Sequence, residues 1–233
     1  MIPWSRWSRP DVGGNNGHDL VNVRCGREGT SNLDDLLQAS ASLHHHLCPR
    51  QVLGVRMGLL AGHWLGLELP QRDKRLLAIM ETDGCAADGV AVATGCWVGR
   101  RTLRVLDFGK VAASFVDTHS EPAVRIAPQP TCREAAVRYA PQAPSRWEAY
   151  LIGYRHMPDG ELLQAQDVSL TVPLRRLLSR EGHRVQCYMC GEDIFNEREV
   201  WQAGRPLCRS CSGERYYSSA GTPGVMLRAN ALD

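Results

Sequence analysis

The chain has 233 residues, a formal net charge of +2 at pH 7 and 43% hydrophobic residues, which suits one well-buried domain with a small module attached. No apolar run approaches the roughly 18 residues needed to span a bilayer. The opening residues place Trp4 and Trp7 among Ser, Gly and Asn without the apolar stretch of a signal peptide, so a cytoplasmic protein with no membrane contact is expected. Arg greatly outnumbers Lys, yet no block of like charge marks a nucleic-acid arm, and nucleic acid is not an expected partner. Four of the nine cysteines form Cys-x-x-Cys pairs and the rest are scattered, a pattern that fits ligand and thiol roles in a reducing compartment better than a disulfide framework.

Residues 1–30 are rich in Gly, Asn, Ser and Arg, show no hydrophobic period and read as a flexible leader. From Ser31 the leucines Leu33, Leu36, Leu37, Leu43 and Leu47 recur near helical spacing. Ser31 or Asn32 serves as cap, and Asp34 and Asp35 favour the first-turn dipole; this helix is expected to end at His46 or Leu47. Pro49 keeps Cys48 out of the α region and opens a second helix through Val52, Val55, Leu59 and Leu60, which puts Cys48 at a helix N-terminus, where amides and dipole stabilise a thiolate. Gly54, Gly58, Ala61 and Gly62 leave room on that helix for a tight crossing.

Arg75 to Met80 reads as a buried strand, and Cys85 to Thr94 as a turn entering a short helix with Cys85 at its N-terminus. Leu103 to Phe108, Ala112 to Asp117 and Ala123 to Ile126 are β-capable runs that suggest an antiparallel meander. Helices are expected around Thr131 to Tyr139 and Arg146 to Tyr154, and another strand at Asp167 to Val172. With no sustained βαβ alternation and no repeat, the expected class is α+β, helices packed on a mostly antiparallel sheet.

The strongest single signal is C-terminal. Cys187-x-x-Cys190 and Cys208-x-x-Cys211, with residues 191–207 between them, have the spacing of two zinc knuckles that close one tetrahedron of four sulfurs. A structural zinc is expected in a treble-clef or zinc-ribbon-like module too small for its own core. Glu192, Asp193, Glu197 and Glu199 oppose Arg198, Arg205, Arg209 and Arg215, which favours protein contact over a phosphate-binding stripe. The expected division is a leader at 1–30, an α+β domain at 31–180, the four-cysteine ribbon at 181–217 and a flexible tail at 218–233.

Two further clusters carry chemistry. In Leu43-His44-His45-His46-Leu47-Cys48-Pro49, soft ligands crowd the end of a helix; neighbouring side chains on a helix point about 100° apart, so His44 and His46 converge only if the helix frays, and His46 with Cys48 is the favoured pair. In Glu81-Thr82-Asp83-Gly84-Cys85-Ala86-Ala87-Asp88-Gly89, Cys85 and Asp88 sit one helical turn apart and could face one cleft; a core cysteine with a capping aspartate is the alternative. Asp88 or Glu81 could move protons there. Lys110 is an anion-binding candidate or an ordinary exposed lysine. Cys96 and Cys132 read as buried thiols, Cys25 as nothing specific, and Trp64 and Trp147 as core or interface.

The order of motifs, His-x-His-Leu-Cys-Pro at 44–49, Glu-x-Asp-x-Cys-x-x-Asp-Gly at 81–89, Thr94-Gly95-Cys96-x-x-Gly99, Phe108-Gly109-Lys110 and a terminal ribbon with Cys-x-x-Cys-x-Gly-Glu-x-Tyr at 208–216, resembles the family of the formylmethanofuran dehydrogenase E-subunit over about residues 33 to 215. The resemblance implies an α+β fold, often dimeric, with a metal-binding cleft. It would place His44, His46, Cys48 and Cys85 around that cleft as ligands and Asp88 and Lys110 near it, with Cys48, Cys85, Asp88 and Lys110 as the catalytic candidates. His45 stands where the family usually has glycine, and Arg50 replaces another glycine after Cys-Pro. The cleft ion would be zinc or another transition metal, since mixed nitrogen and sulfur donors suit zinc best. Two functions follow as expectations: metal-dependent catalysis or cofactor chemistry in the cleft, or an accessory role carrying metal, sulfur or a pterin cofactor to a molybdenum or tungsten oxidoreductase, with a homodimer in either case.

Overall fold

A computed structural model of the chain describes residues 32–218; the expected leader, Cys25 and nearly all of the expected tail lie outside them. The chain divides into two compact units between Leu170 and Thr171. In the first unit, helix α1 (Leu33–His44) begins at Asn32, whose side chain accepts the Asp34 N–H, and ends at His45, which is left-handed at φ 63°. The helix therefore stops short of the expected His46 or Leu47. A left-handed residue after the last turn is a common helix stop that glycine fills without strain, and here histidine occupies it.

Helix α2 (Pro49–Leu65) starts on Cys48 in extended conformation, as a residue before proline must be. Strand β1 (Leu76–Met80) is buried along its whole length and leads through Gly84 into α3 (Cys85–Thr94). The small residues explain how α2 and α3 meet. A Cβ on Gly54 would stand 2.1 Å from the Ala86 carbonyl oxygen, and one on Gly89 would stand 2.4 Å from that of Gln51. The two backbones thus approach more closely than any side chain would permit, which fixes Cys48 and Cys85, one at the N-terminus of each helix, on the same side of the crossing.

Strands β2 (Leu103–Val105), β3 (Ala113–Asp117) and β4 (Ala123–Pro128) are followed by helices α4 (Cys132–Tyr139), α5 (Arg146–His156) and α6 (Asp159–Leu162) and by β5 (Leu163–Val168). The five strands form one sheet in the order β2-β1-β3-β4-β5. All pairs are antiparallel except β1 with β2. The class is α+β with a mostly antiparallel sheet, but the meander expected from β2 onward begins only at β3: α3 carries the chain back across the sheet, so β2 re-enters parallel. β5 also lies earlier than the expected 167–172. Its ladder starts where Leu163 meets Pro128 and stops where Val168 meets Ala123, the first residue of β4, leaving residues beyond 168 no partner on that strand. Leu37, Met57, Leu76, Met80, Phe115, Ile126, Leu162 and Leu163 are fully buried in the core between helices and sheet.

The second unit contains helix α7 (Leu174–Leu178) and two hairpins, β6 (Arg184–Gln186) with β7 (Asp193–Phe195) and β8 (Val200–Gln202) with β9 (Arg205–Leu207). Its hydrophobic cluster rests on buried Cys187, Ile194 and Leu207, with Leu174 of α7 buried besides. So little apolar area stabilises a fold of this size poorly without a cross-link or metal. Among the described residues no helix is long and apolar enough to cross a membrane.

Candidate metal centres

Both knuckles of the second unit follow a hairpin strand, and the sulfurs of Cys187, Cys190, Cys208 and Cys211 lie within 4.8 Å of one another. Backbone amides already point at them: Cys208 N–H donates to Cys187 Sγ at 3.2 Å and Cys211 N–H to Cys208 Sγ at 3.4 Å. Burial opposes ionisation of Cys187, but the amides of Cys190, Cys208 and Met189 outweigh it and bring that thiol down to about 6. Burial pushes Cys190 the other way, up to about 12. Four sulfurs this close cannot all become anionic against one another; a bound dication supplies the missing positive charge, so the donor set fits a metal ion with no open position.

The first unit brings a second set together. His44 is the last residue of α1, Cys48 the cap of α2 and Cys85 the first residue of α3. His44 Nε2 lies 3.1 Å from Cys85 Sγ, and its Nδ1 lies 3.0 Å from Asp88 Oδ2, one turn along α3. Cys48 is near enough to bear on Cys85: burial first, then the Cys48 thiol, pushes the Cys85 thiol up. The four groups thus form a line, Asp88 to His44 to Cys85 to Cys48. Among the described residues only the four C-terminal cysteines form a group of three or more with all ligand atoms mutually within 4.8 Å, so the cleft donors meet in successive pairs.

His46 is exposed, its ring centroid 4.8 Å from that of His44. The left-handed His45 turns the chain so that alternate histidines approach one another. His44 rather than His46 touches a candidate cysteine, whereas the sequence favoured His46 with Cys48. Lys110 is exposed and held by its backbone N–H to the Glu81 carbonyl; its charge bears on the Glu81 carboxylate. Arg125 grips that carboxylate through Nε at 2.5 Å and Nη2 at 2.7 Å and, with Lys110 as a lesser cause, holds its pKa down. Glu81 is therefore a fixed anion, poorly suited to the proton transfers the sequence allowed it.

Gln51 is a positioning residue that no motif of the sequence singles out. Fully buried, it accepts the Cys48 N–H at 2.8 Å and donates to the Ser40 carbonyl at 2.8 Å and hydroxyl at 3.0 Å. It ties the cap of α2 to the body of α1 and so sets Cys48 relative to His44. A glutamine three residues after the cap was the available signal. Cys96 and Cys132 are buried thiols, Cys96 donating to the Leu76 carbonyl and Cys132 lying near the Tyr154 hydroxyl. Trp64 packs against the core with its indole N–H on Asp167, whereas Trp147 is half exposed.

The family model described as FmdE, Molybdenum formylmethanofuran dehydrogenase operon, matches residues 43–164, which include every cleft residue named above. A probable S-adenosyl-L-methionine-binding protein of Archaeoglobus fulgidus is 40% identical over 99 residues, 41% of this chain but only 27% of that protein. The crystal structure of a tungsten formylmethanofuran dehydrogenase FmdE-like protein from Syntrophus aciditrophicus superposes with a TM-score of 0.53 at 23% identity, covering 80% of this chain and 95% of the other. That likeness is one of fold.

Proposed function

Because the chain belongs to the FmdE family, we propose that the line from Asp88 to Cys48 is a metal site used for cofactor or substrate chemistry, beside a structural zinc in the four-cysteine unit. The observation that carries this reading is His44, which presents Nε2 to Cys85 at 3.1 Å while Nδ1 meets Asp88 at 3.0 Å. A carboxylate behind a ligating histidine is the usual support for such a ligand: it fixes the Nδ1–H tautomer and leaves Nε2 free to donate its lone pair. His44, Cys48 and Cys85 would hold the ion, and three protein donors leave a fourth position for an outside group. One borderline-soft ion there, zinc by preference, would supply Lewis acidity. Asp88 keeps the proton on His44 Nδ1, Gln51 keeps Cys48 at the mouth of α2, and exposed His46 stands within reach of an incoming ligand. Lys110 is assigned no part in holding the ion.

The alternative is an accessory protein that carries metal, sulfur or pterin to a molybdenum or tungsten oxidoreductase. It is supported by the family's operon description and by exposed Tyr188, Met189 and Trp201 on the four-cysteine unit, which suit protein contact. A homodimer belongs to either version, with exposed Val105 at the end of edge strand β2 and Leu106 and Phe108 just after it as its contact, and so does a reducing, cytoplasmic setting. Cobalt(II) titration of the full chain tests the site. A second equivalent should raise a thiolate-to-cobalt absorption that Cys48→Ser/Cys85→Ser removes; a spectrum unchanged by the double variant defeats the reading. S-adenosyl-L-methionine, from the name of the A. fulgidus relative, is one ligand to add to the loaded protein.

A further inference from the structure

The second unit holds a hollow of about 780 Å³ away from its cysteines, lined by Arg175, Arg176 and Arg180 with Ser179, Glu197 and Glu199. This is within the roughly 300–1,000 Å³ typical of small-molecule sites. Two observations distinguish it from a solvated charged face. None of the three guanidinium groups is in an ion pair or hydrogen bond among the described residues: Glu197 accepts the Arg180 backbone N–H at 2.8 Å, not its side chain. Glu199, its side chain only 10% exposed, has Oε1 3.5 Å from His183 Nε2, while its Oε2 is buried without any partner. A buried carboxylate oxygen in that state is set up to accept a hydrogen bond from something the chain does not provide.

We propose that this hollow binds a small phosphate ester with a hydroxyl near the phosphate, such as a sugar phosphate or nucleotide. The three guanidinium groups take the phosphate, for which their planar forks are suited. The Glu199 carboxylate, which lines the hollow, accepts the hydroxyl, as a carboxylate does for ribose in dinucleotide sites. Inorganic phosphate would have to serve the arginines and Glu199 from one phosphorus centre, whereas the ester offers a hydroxyl set apart from its phosphate, so selection for the hydroxylated ester over the free ion is the signature. This proposal is independent of the cleft reading.

Calorimetric titration of the full, metal-replete chain tests it with inorganic phosphate, ribose 5-phosphate and AMP. Ribose 5-phosphate is expected to bind at least tenfold more tightly than phosphate and to weaken as salt is raised. AMP tighter than ribose 5-phosphate identifies a nucleotide source, and equal binding a sugar phosphate; both support the site. Glu199→Met should abolish the preference over phosphate, and Arg175→Gln/Arg176→Gln, at two exposed positions, should weaken every ester at least tenfold. If Glu199→Met loses its fold, the arginine variant decides. No saturable binding, equal affinity for phosphate and ribose 5-phosphate, or undiminished binding by the arginine variant overturns the proposal.

Discussion

His45 shows how one residue's backbone can set a site. At φ 63° it occupies a conformation costing an L-residue roughly 1 kcal/mol relative to glycine, and that turn lets His44 and His46 approach while His44 faces α3. Its ring is exposed and the conformation is glycine-like, so His45→Gly should stabilise the first unit by about 0.5–1 kcal/mol in urea titrations; a loss would mean that the histidine side chain contributes more than its backbone costs. Asp117 poses the opposite case. The Arg75 guanidinium, together with the Ser120 hydroxyl and the His119 amide, holds its buried carboxyl well below the ordinary carboxylate range. A depressed native value means that its contribution is complete above the unfolded value near 4 and is lost as pH falls through the native one. Asp117→Asn should therefore cost about 1–3 kcal/mol at pH 7 and flatten the acid side of the stability profile; a profile parallel to that of the parent chain would contradict this.

The crossing of α2 and α3 is the element on which the cleft depends. With a Cβ on Gly54 placed 2.1 Å from the Ala86 oxygen and no room at Gly89 either, Gly54→Ala must spread the helices. A loss of at least about 2 kcal/mol is expected, against less than about 0.5 kcal/mol for Gly99→Ala, where a Cβ meets nothing within 4 Å. Equal effects in chemical denaturation would refute the close approach as the determinant. The small residues of α2 announce this packing in the sequence, and Pro49 and Gly95 mark helix ends because proline and glycine act locally. The parallel return of β2 was not legible: three β-capable residues look alike in either direction, and only the path of α3 decides. Nor was the pairing of His44 with Cys85, since a pattern of helical spacing does not foresee the left-handed break at His45 that places the ring.

At the scale of the whole molecule, two units with separate cores and separate candidate metal centres should respond differently to metal loss. The second unit buries only Cys187, Ile194 and Leu207 in its cluster, so removing its ion with a strong chelator should unfold it, while the first unit retains its cooperative melting transition, seen by calorimetry as loss of one transition and survival of the other. The Cys-x-x-Cys spacing made the four-sulfur centre readable because each knuckle is a local turn. The cleft is assembled from the end of α1 and the starts of α2 and α3, so no single window of sequence contains it. The most direct test of the account is metal content per chain in anaerobically purified protein, compared between the intact chain and Cys48→Ser/Cys85→Ser. Near two ions falling to one is the predicted result; one ion in both would contradict a stable metal site at His44, Cys48 and Cys85 and leave their line of contacts to a reactive thiol or a transient carrier.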